Sequence, residues 1–154
     1  MAAVDGYKRD DLTFRIIGAA MAVHSKLGAG LYEKIYENAL CIEFTRREIR
    51  YERQKRFTVH YDGEDVGEMA ADLVVEEEVI VKLKSVKELL PIHEAQLIAY
   101  LKAAKLKTGL LINFNERLLT SGIKRISVCI NLGGLDKLGD LGGERFWCAR
   151  RTRW

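Results

Sequence analysis

Three charged side chains interrupt two apolar runs of the chain in a pattern that could bring them together. Asp72 lies within one run, and Lys82 and Lys84 lie within the next. If the acidic residues between the runs form a turn centred on Glu77, Asp72 faces Lys82 across a hairpin, and Lys84 points to the same side as Lys82. An acid and two lysines on a covered face cost free energy unless they pair or do chemical work. The spacing therefore predicts either a cross-strand ion pair or part of a buried polar site.

Two predicted helices offer further polar side chains that could join the same site. At helical spacing (i, i+3 and i+4 on the first helix, i, i+3 and i+7 on the second), each set shares one face of its helix. The sets are Glu33, Tyr36 and Glu37 on the first helix, and His93, Gln96 and Tyr100 on the second. Each residue also has a simpler interpretation, such as an acid favoured at a helix N-terminus or a half-buried helix residue. Only the conjunction of the three elements favours one shared polar site.

The elements that must position these residues follow from hydrophobic periodicity and turn residues. The first helix is predicted to start at a cap formed by Asp10 or Asp11, and the second to bury a face that includes Ile35 and Ile42. The predicted helices are 11–27, 31–47 and 91–105, and the predicted strands are 51–61, 66–75, 79–86, 108–114 and 122–130. The order α-α-β-β-β-α-β-β predicts an α/β fold, a central mixed β-sheet flanked by helices.

Length and charge predict one domain with a basic tail. The 154 residues suit a single core, and the formal net charge is +3. Residues 145–154 contain four arginines and no acid, so the rest of the chain is close to neutral and is no strong nucleic-acid binder on charge alone. We expect an N-terminal extension over 1–10, a folded domain over 11–131 and a poorly ordered Gly/Arg-rich tail over 132–154.

Cysteine usage and the N-terminal region predict a reduced, cytoplasmic protein. Cys41, Cys129 and Cys148 are odd in number and widely spaced, which disfavours a disulfide framework or a zinc site. The apolar stretch 16–23 is too short to cross a bilayer, and acidic residues precede it, unlike in a signal peptide.

Several separate segments of the chain resemble one known family. Residues 30–36 (GLYEKIY) match the signature of the GxxExxY proteins, and the resemblance continues through 51–54, 71–73, 90–96 and 109–115. This family resembles a branch of the PD-(D/E)XK nuclease superfamily, and the spacing of Gln96 and Tyr100 is similar to the QxxxY pattern of RecB-like nucleases. The resemblance implies a restriction-endonuclease-like core, in agreement with the element order.

The resemblance also implies roles for individual residues. Glu33 and Asp72 would bind one or two Mg²⁺ or Mn²⁺ ions, since hard carboxylate oxygens suit these metals. Lys84 would orient or deprotonate the attacking water, and Gln96 and Tyr100 would line the site. The implied reaction is metal-dependent hydrolysis of phosphodiester bonds. The implied partner is nucleic acid, with DNA favoured but RNA left open; no membrane partner is implied, and a homo-oligomer is left open.

The chain departs from the family pattern at position 82. The pattern has Glu-x-Lys at this strand, whereas this chain reads Lys82-Leu83-Lys84. An ammonium in place of a metal-binding carboxylate could occupy the position of the cation and neutralise Asp72, which predicts an impaired or inactive nuclease. A neighbouring acid could replace the lost ligand: Glu33, Glu37 or Glu94. The alternatives are a non-catalytic nucleic-acid-binding or protein-interaction module on the same fold, or a purely structural ion pair.

Overall fold

The computed structural model describes residues 4–129 and 150–152, with side chains described for residues 11–129. The predicted order of helices and strands is confirmed over the first five strands, and a short 3₁₀ helix and a sixth strand are added. The elements are α1 (Val4–Leu27), α2 (Glu33–Arg46), β1 (Tyr51–Tyr61), β2 (Glu64–Val75), β3 (Val79–Lys84), α3 (Pro91–Ala104), β4 (Thr108–Asn113), the 3₁₀ helix (Leu119–Gly122), β5 (Ile123–Ser127) and β6 (Arg150–Thr152).

The strands form one mixed sheet in the order β1-β2-β3-β4-β5-β6. Strands β3 and β4 are parallel, and every other neighbouring pair is antiparallel. The parallel pair arises because α3 connects β3 to β4, and a parallel pair needs such a crossover. The predicted α/β fold with a central mixed sheet flanked by helices is thus confirmed.

The sheet is covered on both faces, so most of β3 is buried and its two lysines, Lys82 and Lys84, are partly buried. Alternate residues of the central strands pack against α1 and α2 on one face, among them Leu73, Leu83 and Ile112. The intervening residues pack against α3 on the other face, among them Val74 and Ile80. Lys82 follows Ile80 by two residues and therefore lies on the α3 side.

Two details of the helices differ from the predictions. Helix α1 begins at Val4, so the predicted extension over 1–10 is largely helical, and Asp10 and Asp11 lie inside the helix instead of capping it. The predicted apolar face of α2 is also wrong, because Ile35 and Ile42 are 41% and 55% exposed. The buried face of α2 instead contains Tyr36, Glu37, Leu40, Cys41 and Phe44. Helix α2 carries two apolar stripes, and the one with the two aromatic rings faces the sheet.

Three residues of the predicted tail form a strand. Arg150–Thr152 form β6, which pairs antiparallel with β5. The remaining tail residues of the prediction, 132–149 and 153–154, lie outside the described residues. Within the described part of the chain, no helix is both long and apolar enough to cross a membrane.

Candidate functional site

The centre of the candidate site is the point where β2 and β3 stop pairing. The two strands pair from Val75↔Val79 to Leu73↔Val81, which confirms the predicted turn centred on Glu77. Beyond this pair, the Asp72 carboxylate, not the backbone of β2, accepts the hydrogen bonds from β3. Its Oδ2 accepts a hydrogen bond from the Leu83 N–H (3.0 Å), and its Oδ1 accepts one from Lys82 Nζ (3.0 Å). Asp72 and Lys82 are therefore an ion pair, as the spacing predicted.

The ion pair is well shielded from water. The side chains of Lys82 and Asp72 are only 12% and 9% exposed, and Lys82 Nζ lies 4.9 Å from the centre of the Tyr100 ring, within cation–π range. Burial lowers the pKa of the Lys82 amine, but the charge and hydrogen bond of Asp72 outweigh burial and raise this pKa above its ordinary value. Lys82 is therefore an ammonium ion at neutral pH.

Glu33 and Lys84 complete a cluster of four charged residues. Glu33 is the first residue of α2 and lies close enough to β2 and β3 to interact with their charges. Burial raises the pKa of the Glu33 carboxyl, the charge of Asp72 raises it further, and Lys84 and Lys82 only partly oppose these effects. With two acids and two lysines, the formal charges of the cluster cancel.

Two residues of the predicted polar face of α3 do not join this cluster. Gln96 is exposed, and His93 Nδ1 accepts a hydrogen bond from the Leu90 N–H (3.0 Å) at the start of α3. The face of α3 that packs on the sheet instead carries the buried residues Glu94, Leu97 and Leu101. Tyr100 contacts Lys82 from the edge of this face. The prediction that Gln96 belongs to a buried polar face is thus wrong. The face of α3 that packs on the sheet contains its neighbour Leu97, and Gln96 lies on the side that faces solvent.

A second buried acid, Glu37, is held by its own set of donors. Its Oε1 accepts hydrogen bonds from Arg53 Nη2 (2.8 Å) and Lys34 Nζ (3.1 Å), and its Oε2 accepts one from Gln54 Nε2 (3.3 Å). Burial raises the pKa of the Glu37 carboxyl, but the hydrogen bonds and charges of Arg53 and Lys34 outweigh burial and lower this pKa below its ordinary value. The Glu37 carboxylate therefore links α2 to β1.

This network is expected to stabilise the fold near neutral pH and to stop doing so in acid. Because the folded-state pKa of Glu37 lies below its ordinary value of 4.5, its contribution is fully present above that pH and is lost as the pH falls through the folded-state pKa. Urea unfolding at several pH values should show that the Glu37→Gln variant loses less stability in acid than the unmodified protein. Equal losses in the two proteins would contradict this assignment.

The chain was compared with models of known protein families. A family model of the PD-(D/E)XK nuclease superfamily matches residues 10–126, well over half of the chain, and the matched region includes the whole charged cluster. The chain belongs to the PD-(D/E)XK nuclease superfamily. Searches of the curated proteins and of the solved structures found no significant match.

Members of the PD-(D/E)XK superfamily typically use divalent metals, but the residues of this chain do not fit one. Both oxygens of Asp72 already accept hydrogen bonds, one of them from an ammonium ion that would repel a metal cation. Among residues 11–129, no three His, Cys, Asp or Glu side chains come together as a metal-binding group. The donor set thus lacks the anionic oxygens that Mg²⁺ or Mn²⁺ requires.

The other acids considered as replacement ligands are engaged elsewhere. Glu37 is bound by Arg53, Lys34 and Gln54, and Glu94 forms an ion pair with Lys124. Glu33 interacts with the charges of Asp72, Lys82 and Lys84. A single further carboxylate does not restore the ligand set of a PD-(D/E)XK metal centre.

One buried polar residue that the sequence pattern did not indicate fixes the chain shortly after Lys84. The fully buried Asn113 accepts a hydrogen bond from the Val86 N–H (3.1 Å) and donates one to the Val86 carbonyl (2.9 Å). This clamp holds the segment that leaves the site. The sequence offered one indication of this role: Asn113 is the amide side chain near the end of the strongly apolar run 108–114.

Proposed function

We propose that this PD-(D/E)XK domain acts on nucleic acid and that Lys82 silences its hydrolytic centre. The observation that carries the proposal is the 3.0 Å ion pair between Lys82 Nζ and Asp72 Oδ1, with both side chains nearly buried. A buried ammonium at this position supplies internally the positive charge that a divalent metal would supply in an active relative. Hydrolysis is then impaired while the fold is kept.

We further propose that the chain is one of the GxxExxY proteins and that its other site residues have the roles known for the PD-(D/E)XK superfamily. Glu33 and Asp72 are the acids that would bind Mg²⁺ or Mn²⁺ if position 82 were acidic, and Lys84 is the lysine that would act on the attacking water. Tyr100 and the exposed Gln96 would contact the nucleic acid, for which we favour DNA over RNA. The widely spaced cysteines favour a cytoplasmic location.

The direct test is to give position 82 back its carboxylate. In the unmodified protein, Mg²⁺ or Mn²⁺ should leave the melting temperature unchanged, whereas a Lys82→Glu variant should be stabilised. At a metal concentration 100 times the Kd, binding adds about 2.7 kcal/mol, or roughly 5–10 °C for a chain of this size. The same variant should gain metal-dependent cleavage of DNA.

Two control variants separate the added carboxylate from the lost ammonium. Lys82→Gln removes the ammonium without adding a ligand and should gain neither metal binding nor cleavage. Lys82→Glu combined with Asp72→Asn should lose both again. The proposal is wrong if the unmodified protein cleaves DNA in Mg²⁺ and Asp72→Ala abolishes that cleavage.

The second candidate is a non-catalytic nucleic-acid-binding module on the same fold. It is favoured by the cancelling charges of Glu33, Asp72, Lys82 and Lys84, which complete the cluster without a metal. This candidate predicts DNA binding that is unchanged by EDTA, together with no gain of cleavage in Lys82→Glu. A protein-interaction module would instead show no binding to DNA or RNA at all.

A further inference from the structure

The glycine turn that precedes α2 is tied down by hydroxyl groups from two other segments. The Tyr36 hydroxyl donates a hydrogen bond to the Gly28 carbonyl (2.6 Å) and accepts one from the Leu31 N–H (3.2 Å). The Ser85 hydroxyl donates a hydrogen bond to the Leu31 carbonyl (2.6 Å). Both backbone groups of Leu31 are thus held by side chains, two residues before Glu33.

Packing does not confine the two glycines of the turn, although Leu31 packs against the core and the Gly28 N–H donates a hydrogen bond to the His24 carbonyl (2.8 Å). Gly28 and Gly30 have φ values of +70° and +96°, a conformation that glycine adopts easily and also leaves easily. A Cβ built on either glycine would meet no atom within 4 Å, so the turn has open space around both residues. The two hydroxyl groups are therefore among the contacts that select one conformation of the turn.

Tyr36 is itself anchored next to the charged cluster. Its side chain is fully buried, and its ring stacks on Phe114 with 4.4 Å between the ring centres and 9° between the ring planes. The Phe114 N–H in turn donates a hydrogen bond to the Lys84 carbonyl (2.9 Å). Ser85 directly follows Lys84, and Tyr36 is linked to Lys84 through Phe114, so both residues that hold the turn are connected to the end of β3.

We propose that Tyr36 and Ser85 are positioning residues that set where Glu33 lies relative to Asp72 and Lys84. The tyrosine at the end of the 30–36 motif would then serve the acid of the same motif, one helical turn before it. The inference rests on the proposed function only in taking Glu33 as a site residue. The test of this inference needs no catalysis. The inference can therefore fail while the nuclease proposal stands, and the nuclease proposal can fail while the inference stands.

The test removes each hydroxyl group and follows the turn and the cluster by NMR. In Tyr36→Phe, amide hydrogen exchange of Leu31 should rise at least tenfold more than that of core amides in β4. The backbone amide signal of Glu33 and the ammonium signal of Lys82 should shift as Glu33 moves. Ser85→Ala should shift the same two signals. Ser85→Thr keeps a hydroxyl group, so both signals should stay where they are in the unmodified protein.

Tyr51→Phe is the matched control. It removes the hydroxyl of another tyrosine, one that lies 3.3 Å from the exposed Thr45 hydroxyl and also interacts with the Cys41 thiol, and it should leave Leu31 exchange and both signals unchanged. The inference is overturned if Tyr36→Phe speeds the exchange of Leu31 and of the core amides by the same factor. It is also overturned if the Glu33 and Lys82 signals stay in place in both Tyr36→Phe and Ser85→Ala.

Discussion

Replacing Asp72 with alanine is expected to lower the free energy of unfolding by about 3–5 kcal/mol. The substitution leaves the ammonium of Lys82 buried without its partner, and it also removes the acceptor of the Leu83 N–H at the end of the β2–β3 ladder. Breaking a buried ion pair on one side is costly because the remaining charge stays out of water. Urea unfolding at pH 7 measures the loss.

A double substitution shows how much of this loss comes from the stranded charge. Asp72→Ala combined with Lys82→Met removes both charges and should recover most of the stability, since an apolar pair of similar volume is often neutral or better. Glu68→Ala is the control, because its partner Arg56 is exposed and such pairs contribute about 0–1 kcal/mol. A cost for Asp72→Ala no larger than that of Glu68→Ala would show that the buried pair does not stabilise the fold.

Replacing Asn113 with alanine is expected to cost about 2–3 kcal/mol, because three side-chain hydrogen bonds are lost at a buried position, two to Val86 and one from the Asn115 N–H (3.3 Å). The Val86 N–H loses its acceptor, and the Val86 carbonyl keeps only the longer bond from Asn115 Nδ2 (3.3 Å). The segment after Lys84 should loosen as a result. Urea unfolding gives the loss of stability, and amide exchange of Val86 reports the local opening.

Asn115→Ala is the matched control for this prediction. Asn115 is only half-buried and makes the longer of the two side-chain bonds to the Val86 carbonyl, so its removal should cost under about 1 kcal/mol. Equal costs for the alanine variants at 113 and 115 would rule out the clamp.

The hairpin that builds the ion pair could be predicted from the sequence because its geometry is local. A short acidic turn joins two apolar runs, and strand side chains alternate with a period of two, so the position of the turn decides which residues face each other. Asp72 and Lys82 therefore meet as expected once the turn is centred on Glu77. The element order, set by hydrophobic periods and single glycine and proline residues, was predictable for the same reason.

The orientation of the helices was decided only by the tertiary structure. Helical spacing shows which residues share a face, but it does not say which of two apolar faces the sheet will cover. On α2 the sheet covers the stripe of Tyr36 and Phe44 and leaves Ile35 and Ile42 exposed, and on α3 it turns Gln96 outward.

The partners of buried polar groups were likewise beyond the sequence alone. Arg53 binds Glu37 across 16 positions of the chain, and Asn113 binds Val86 across 27. Such partners are brought together only when the sheet closes. For this protein, the sequence by itself determined the order of elements and the charge opposite Asp72, because both depend on near neighbours. The tertiary structure decided which other acids remain available to the site, because that depends on contacts between distant segments.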